Sequence, residues 1–455
     1  MIRVSSIAIV SLVMVMASLS AVGALAAGPT IDAQVRVREY VLMNQNFSGD
    51  DDMNSFAVMR TRLGFGFEAN ERTSGYLQFQ DTRSFGEPVN TLTPLEQVDL
   101  HQGYIVIHDV FDQSAALRIG RQEMNYFRQR QIGAVGWADV GRSFDGARVE
   151  LDFDGSGWLH AFAMKTNEVG GTTPGAGSNV AAGSARETAF FGGYYHLDVA
   201  ENAKAEIYLF DFMIDDGDMP SENNTGNLFT AGATFQIDAK DAGFGLYGEG
   251  AMQFGSTPDL VAEDDAVDYA GWAAYAGATY AIPHETLKPF VNVEFNVASG
   301  DDGSDDGETN DYQQLFPTAH APLGYLDLVS WSNILEYNAR VGVKPSAQWM
   351  AYADFHVFQV MEEAGNWYAL GGPLFGGPRL TGDSSFDAAL GQELDVVVKY
   401  TVDSNLSFLA KFGLWMPGEW QEQATALAGG EADPVANPAE LDSRSSFWFQ
   451  TTANF

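Results

Sequence analysis

Leu117 to Phe153 reads LRIGRQEMNYFRQRQIGAVGWADVGRSFDGARVELDF. Its two ends, LRIGR and SFDGARVELDF, read as strands. The middle is crowded with glutamine, arginine and tryptophan. Arg118, Arg121, Arg128, Arg130, Arg142 and Arg148 all fall inside it, in a chain whose formal net charge is −37. The expectation is that two neighbouring strands and the loop between them carry this cluster into the bore of a membrane barrel, on the path of an acidic solute.

The rest of the chain supports a barrel. It has 455 residues, 48 glycines, 13% aromatic residues and no cysteine. Without cysteine there are no disulfides, thiol catalysts or thiolate metal sites. Residues 1–26 read as a cleaved secretory signal. Arg3 precedes the apolar run Ile7 to Val15, and Ala24-Leu25-Ala26 sets the cut before Ala27. Residues 27–455 are then one domain. No later apolar run nears the roughly 20 residues of a spanning helix. So acidic a chain also excludes nucleic-acid binding, which needs a basic surface.

Period-two alternation recurs throughout. Val35, Val37 and Val41 oppose Gln34, Arg36 and Arg38. Phe229, Ala231, Ala233, Phe235 and Ile237 oppose Thr230, Gly232, Thr234 and Gln236. The runs fall at 31–42, 55–69, 74–84, 96–109, 115–122, 143–153, 156–165, 187–199, 203–213, 226–238, 243–254, 268–282, 287–298, 332–343, 348–360, 389–402, 406–416 and 444–455. Alternation is poorest in 96–109 and 156–165, where a bulge would shift the phase. Connections alternate between short and long, the long ones including 43–54, 123–142, 166–186, 299–331, 361–388 and 417–443. These features define the expected fold class: all-β, a closed antiparallel transmembrane β-barrel of about 18 strands, with short periplasmic turns and long extracellular loops. Of the loops, 123–142 and 299–331 are expected to fold inward. The last strand ends in Phe455, a terminal aromatic suited to outer-membrane assembly machinery.

Charge separates the two kinds of surface. Six long loops, 43–54, 214–225, 255–267, 299–331, 361–388 and 417–443, hold 28 of the 61 acidic residues and a single basic one, Arg379. They form a repulsive surface that could weakly hold a divalent cation, since Ca²⁺ prefers oxygen ligands. No metal site and no other cofactor is expected. Basic residues concentrate in the strands instead. The expected solute pathway is Arg36, Arg38, Arg60, Arg62, Arg118, Arg121, Arg128, Arg130, Arg142, Arg148, Arg340, Lys399 and Lys411, with Glu68, Asp99, Asp145, Glu336 and Glu393 as lumenal acidic partners. Facing lipid near the midplane, each cation would cost about 2–4 kcal/mol.

With these residues laid out, the chain resembles the alginate-export family of outer-membrane porins. The resemblance rests on MRTRLGFGFE (59–68), GYLQFQDTRSFG (75–86), VDLHQGYIVI (98–107), LRIGRQEMNY (117–126), GWADVGRSFDGARVEL (136–151), NVASGD (296–301), QQLFPTAHAPLGYLDLVSW (313–331), NILEYNARV (333–341) and GQELDVVVKYTV (391–402). It implies an 18-stranded monomeric barrel with an arginine-lined lumen, through which an anionic uronate polysaccharide leaves the periplasm. The positions it maps are Arg60, Arg62, Asp99, Arg118, Arg121, Arg130, Arg142, Asp145, Arg148, Arg340 and Glu393. Lipid and lipopolysaccharide would surround the barrel.

Other readings are a small-solute porin and an adhesive or structural surface barrel. An enzyme is not expected. His101, His108, Asp99 and Asp109 lie close together, but no G-x-S-x-G elbow or H-E-x-x-H accompanies them. His101 and Asp99 read as wall residues in a hydrogen-bond network.

Overall fold

The computed structural model describes residues 28–49, 53–86, 98–110, 114–153, 155–167, 187–215, 225–239, 243–258, 266–303, 306–318, 320–370 and 378–455. The expected signal segment, Asp50 to Asp52 and Glu263 to Asp265 lie outside them.

Eighteen strands among the described residues close into an antiparallel barrel. In chain order they are β1 (Thr30–Met43), β2 (Met53–Asn70), β3 (Thr73–Ser84), β4 (Asp99–His108), β5 (Ala115–Gln122), β6 (Phe144–Asp152), β7 (Gly157–Asn167), β8 (Glu187–Ala200) and β9 (Ala203–Asp215). They continue as β10 (Thr225–Ile237), β11 (Gly243–Pro258), β12 (Trp272–Ala281), β13 (Phe290–Ala298), β14 (Ile334–Val343), β15 (Trp349–Gln359), β16 (Ala389–Thr401), β17 (Leu406–Pro417) and β18 (Arg444–Asn454). Every neighbour in sequence pairs, and β18 closes on β1, where Arg38 lies opposite Gln450. No sheet edge is left to lipid.

All eighteen alternating runs are strands. The poor phase in 96–109 has a local cause. Gln78 pairs with Gln102 but Phe79 with Leu100, so His101 is an extra residue in β4. β7 carries a similar shift after Lys165. The run at 268–282 begins later, at Trp272. Residues Ala266–Tyr269 form a separate short strand, paired in parallel with Glu308–Thr309. Another difference is helix α1 (Glu419–Ala428) in the last long loop, where Trp420 is buried and donates to the Glu363 carbonyl at 3.0 Å.

Most outward side chains are apolar, and exposed ones include Ile105, Ile119, Leu209, Phe235, Phe254, Val341 and Phe447. The lumen is far from empty. From β7 to β9, Phe162, Phe190, Phe210 and Phe212 pack inward against Ile132 and Phe316 of the loops. Tyr208 and Tyr247 lie opposite Gly232 and Gly277. A Cβ on either glycine would come within 2.3 Å of the facing ring, so the wall is thinned where the tyrosines lie across it.

The loops that fill the bore are 123–143 and 299–333, both infolded as expected. They pair with each other. The Phe316 N–H donates to the Gln131 carbonyl and the Gly133 N–H to the Phe316 carbonyl, each at 2.8 Å.

Candidate functional site

The arginines of β1 and β2 point inward, and the infolded loop consumes them. Arg36 donates to the carbonyls of Gly136 (2.9 Å), Trp137 (3.0 Å) and Ala138 (2.9 Å), and pairs with Asp139 at 2.9 Å. Arg38 donates to the Trp137 carbonyl at 2.7 Å, and its guanidinium lies 3.5 Å from the Trp137 ring centroid. Arg60 reaches the carbonyls of Gly136 and Ala138. Arg62 bonds Gln80, Glu123 and the Val140 carbonyl. Arg36, Arg38 and Arg60 are at most 4% exposed. The expectation that these three line a solute path is therefore corrected. Carbonyl groups of a loop buried in a barrel need donors, and these arginines supply them.

Lys411 and Arg142 are corrected in the same way. Lys411 Nζ sits 3.7 Å from the ring centroids of both Trp137 and Tyr325 and 2.9 Å from His320 Nε2. Trp137 stacks on His320 at 4.2 Å. Burial holds the His320 imidazole down to about 4. Arg142 donates to the carbonyls of Gly133 and Pro317, tying one loop to the other. Burial lowers its pKa to about 10, which leaves it charged. His101 bonds Glu123 at 2.7 Å. Burial alone would raise the Glu123 carboxyl, but the His101 bond and Arg62 outweigh it and lower it.

Of the remaining candidates, Arg118 and Arg148 share Glu150, at 2.8 and 2.6 Å, on the inner face of β5 and β6. Lys399 and Glu68 are exposed at the short-turn ends of β16 and β2. Glu336 and Glu393 do not pair with arginines. Glu336 bonds His356 at 2.5 Å and Asn296 at 2.6 Å. Glu393 accepts the Leu326 N–H at 2.9 Å, pinning loop 299–333 to the wall. Gly324 makes that approach possible: its φ is +87° and a Cβ would lie 2.5 Å from the Glu393 carboxyl carbon.

Arg121 and Asp145 are not lumenal. They pair directly in register, at 2.7 Å, on the face that carries Ile119 and Val149. That is the outside of the barrel at its long-loop end. Asp99, 65% exposed, lies 3.9 Å from Arg121 rather than in the bore.

The structure brings together Arg128, Arg130 and Arg340. With Glu294, Asn292, Asn338, Thr318, His320, Ala321 and Pro322 they enclose a cavity of about 350 Å³ beneath the paired loops. Arg130 is buried against Glu294. Burial would lower its pKa, but that carboxylate outweighs it and raises it. Arg340 bonds Asp354 through Nε at 2.7 Å, its side chain 28% exposed. The Arg128 side chain is 39% exposed, 3.9 Å from Glu294 and 3.6 Å from the Tyr247 ring centroid. Asn292 and Arg340 lie near the short-turn ends of β13 and β14, so the cavity sits on the periplasmic side of the loops. Asp139, Glu123 and Asp354 were not expected. Only the inward phase of Asp354 signals it in sequence.

A second device lies higher in loop 299–333. Asp311 accepts the Tyr368 hydroxyl at 2.5 Å and the Asp301 N–H at 3.1 Å. Burial, then the nearby Asp301 charge, push its carboxyl from 3.8 up to about 7. A raised folded pKa means that the protonated acid fits the fold better. Stability is thus fullest below about pH 4 and is lost as pH rises through 7. Amide exchange in residues 366–370 and 306–312 should accelerate between pH 5 and pH 8 beyond the intrinsic base dependence. Asp311→Asn should abolish that excess; an excess unchanged in the variant would show that another group titrates. Among the described residues no cluster of three or more His, Asp or Glu is arranged to hold a metal ion.

A closed antiparallel barrel with an apolar outer belt and infolded loops defines an outer-membrane channel of the porin type, placed in a Gram-negative outer membrane. Residues 30–432 match the alginate export family, and the chain belongs to that family. No curated protein sequence matches it. Solved structures share the fold. Pseudomonas aeruginosa OccK9 (OpdG) is 9% identical with a TM-score of 0.58, covering 94% of this chain and 98% of that one. Acinetobacter baumannii OccAB2 is 13% identical with a TM-score of 0.56 over 94% and 98%. The Pseudomonas aeruginosa outer membrane protein opdK is 10% identical with a TM-score of 0.52 over 94% and 99%.

Proposed function

We propose that this barrel is a passive channel preferring anions, and that its cargo passes the cavity formed by Arg128, Arg130 and Arg340. One observation carries the reading: three guanidiniums line a cavity at the edge of the two infolded loops, with Glu294 in the lining and Asp354 behind Arg340 as their carboxylates. Guanidinium forks suit carboxylates, and the partial exposure of Arg128 and Arg340 lets these two trade hydration for charge-assisted bonds without trapping the solute. The family's name points to a uronate polysaccharide, and a cavity facing the periplasm suits outward passage. The barrel works as a monomer, inserted by way of its aromatic β18, with no chemical step and no cofactor.

A small-solute porin is the second reading, favoured by the aromatic packing of β7 to β9, which narrows the bore. Planar-bilayer recordings separate the two. Alginate oligomers added on the short-turn side should block the current reversibly at concentrations where monomeric uronate does not. Equal block by both supports the small-solute porin. A barrel that conducts no current at all would be a structural or adhesive protein.

A further inference from the structure

Trp158 of β7 lies opposite Asp152 of β6 and His196 of β8, all in the lumenal phase at the short-turn end of the wall. One inward position deeper, Glu150, His160 and Tyr194 lie opposite one another. The indole stacks on the His196 ring at 5.0 Å with the planes 3° apart, and its centroid lies 4.3 Å from that of His160. His196 is itself fixed, bonded to Glu206 at 2.8 Å and to Asp198 at 3.2 Å. Tyr194 and Tyr208, deeper in the bore, are buried, whereas Trp158 is only half-buried. The aromatic girdle of a membrane barrel faces lipid. Trp158 faces the bore, so anchoring in the membrane does not account for it.

The indole borders a cavity of about 400 Å³, within the roughly 300–1,000 Å³ of small-molecule sites. His108, Glu150, Asp152 and His160 also line it, and among the described residues no arginine or lysine does. Arg118 and Arg148 stand behind Glu150. All three of their bonds end on its Oε1, leaving Oε2 with no partner among the described residues. His160 Nδ1 meets the Tyr126 hydroxyl at 3.1 Å, which leaves Nε2 likewise unused.

We propose that this cavity binds a neutral pyranose ring, with one C–H face laid on Trp158 and the hydroxyl rim bonded to Glu150 Oε2 and His160 Nε2. A pyranose presents an apolar face of axial C–H groups and an edge of hydroxyls, each both donor and acceptor. The indole supplies a rigid apolar plane for the first. The carboxylate accepts from the second, and the imidazole nitrogen gives or takes according to its tautomer. A carboxylated ring would meet Asp109 and Asp152 with no cation in the lining to offset them, so the ring is uncharged. The site is separate from the cavity of Arg128, Arg130 and Arg340, and its ligand does not depend on whether the channel prefers anions.

Saturation-transfer difference NMR on the full-length barrel tests this, in a deuterated detergent without a sugar headgroup and with cellotetraose as the probe. Ring C–H protons of the sugar should receive saturation from the parent. Trp158→Ala should lower the transfer several-fold, and Trp158→Phe should keep most of it. Heat-modifiable gel migration like the parent's establishes that both variants are closed barrels. Equal transfer from the parent and Trp158→Ala, or none from the parent, would overturn the proposal. So would Trp158-dependent transfer to tetramethylammonium in place of the sugar, which would make the cavity an organic-cation site.

Discussion

A barrel with Arg36, Arg38 and Arg60 all replaced by alanine is expected to conduct several-fold more current than the parent, with open-channel noise. Residues 136–139 lie against the β1–β2 wall, and the guanidiniums are what hold them there. Arg36 alone makes three carbonyl bonds and an ion pair. A hydrogen bond to a charged group contributes about 1.5–3 kcal/mol. Losing several of them also strands the carbonyls of Gly136, Trp137 and Ala138 in a buried site. The barrel itself should survive, because its ladder of backbone bonds is untouched. Single-channel conductance with far-ultraviolet circular dichroism checks both halves. A conductance equal to the parent's would mean that the loop is held by something else.

Arg128→Glu is expected to shift the channel strongly toward cations while leaving conductance near the parent's. Arg128 is the most exposed guanidinium of the cavity. Its replacement changes the local charge by two in a confined space where field lines are focused. The loop does not depend on it: Arg130 keeps its own pair with Glu294, and Arg142 keeps both carbonyls. Ala at the same position should give half the shift. Permeability ratios from bi-ionic potentials measure it, and a shift that vanishes at low salt would contradict the electrostatic origin, since screening weakens only at low ionic strength.

Much of the fold is legible in the sequence because a barrel wall has only two faces, and one must be apolar. Val35 and Val37 against Arg36 and Arg38 already decide which way β1 turns. Charge cost in lipid forbids the alternative. What the arginines do inside is not legible there. The partners of Arg36 are carbonyls about a hundred residues away, and every residue type carries a carbonyl. Nothing in the composition of GWADVGR marks it as the ligand of an arginine cluster. Glu393 is similar, since its partner is the backbone of Leu326.

The misplaced Arg121 was legible. Arg118 and Arg121 are three residues apart, as are Asp145 and Arg148. A strand of period two must put the members of each pair on opposite faces. The cluster is therefore not one unit, and its members divide between the two faces of the wall. His101 was harder, because its bulge resets the phase of β4 and only the cross-strand register reveals the extra residue.

In the proposed channel the arginines divide into those that clamp a loop and those that face the solute. Reversal potential in a potassium chloride gradient, measured on Arg36→Ala/Arg38→Ala/Arg60→Ala beside Arg128→Glu, tests it most directly. The triple variant should keep the parent's anion preference in sign, while the single substitution should move the potential toward the cation limit. Loss of anion preference in the triple variant, with Arg128→Glu indistinguishable from the parent, would contradict it.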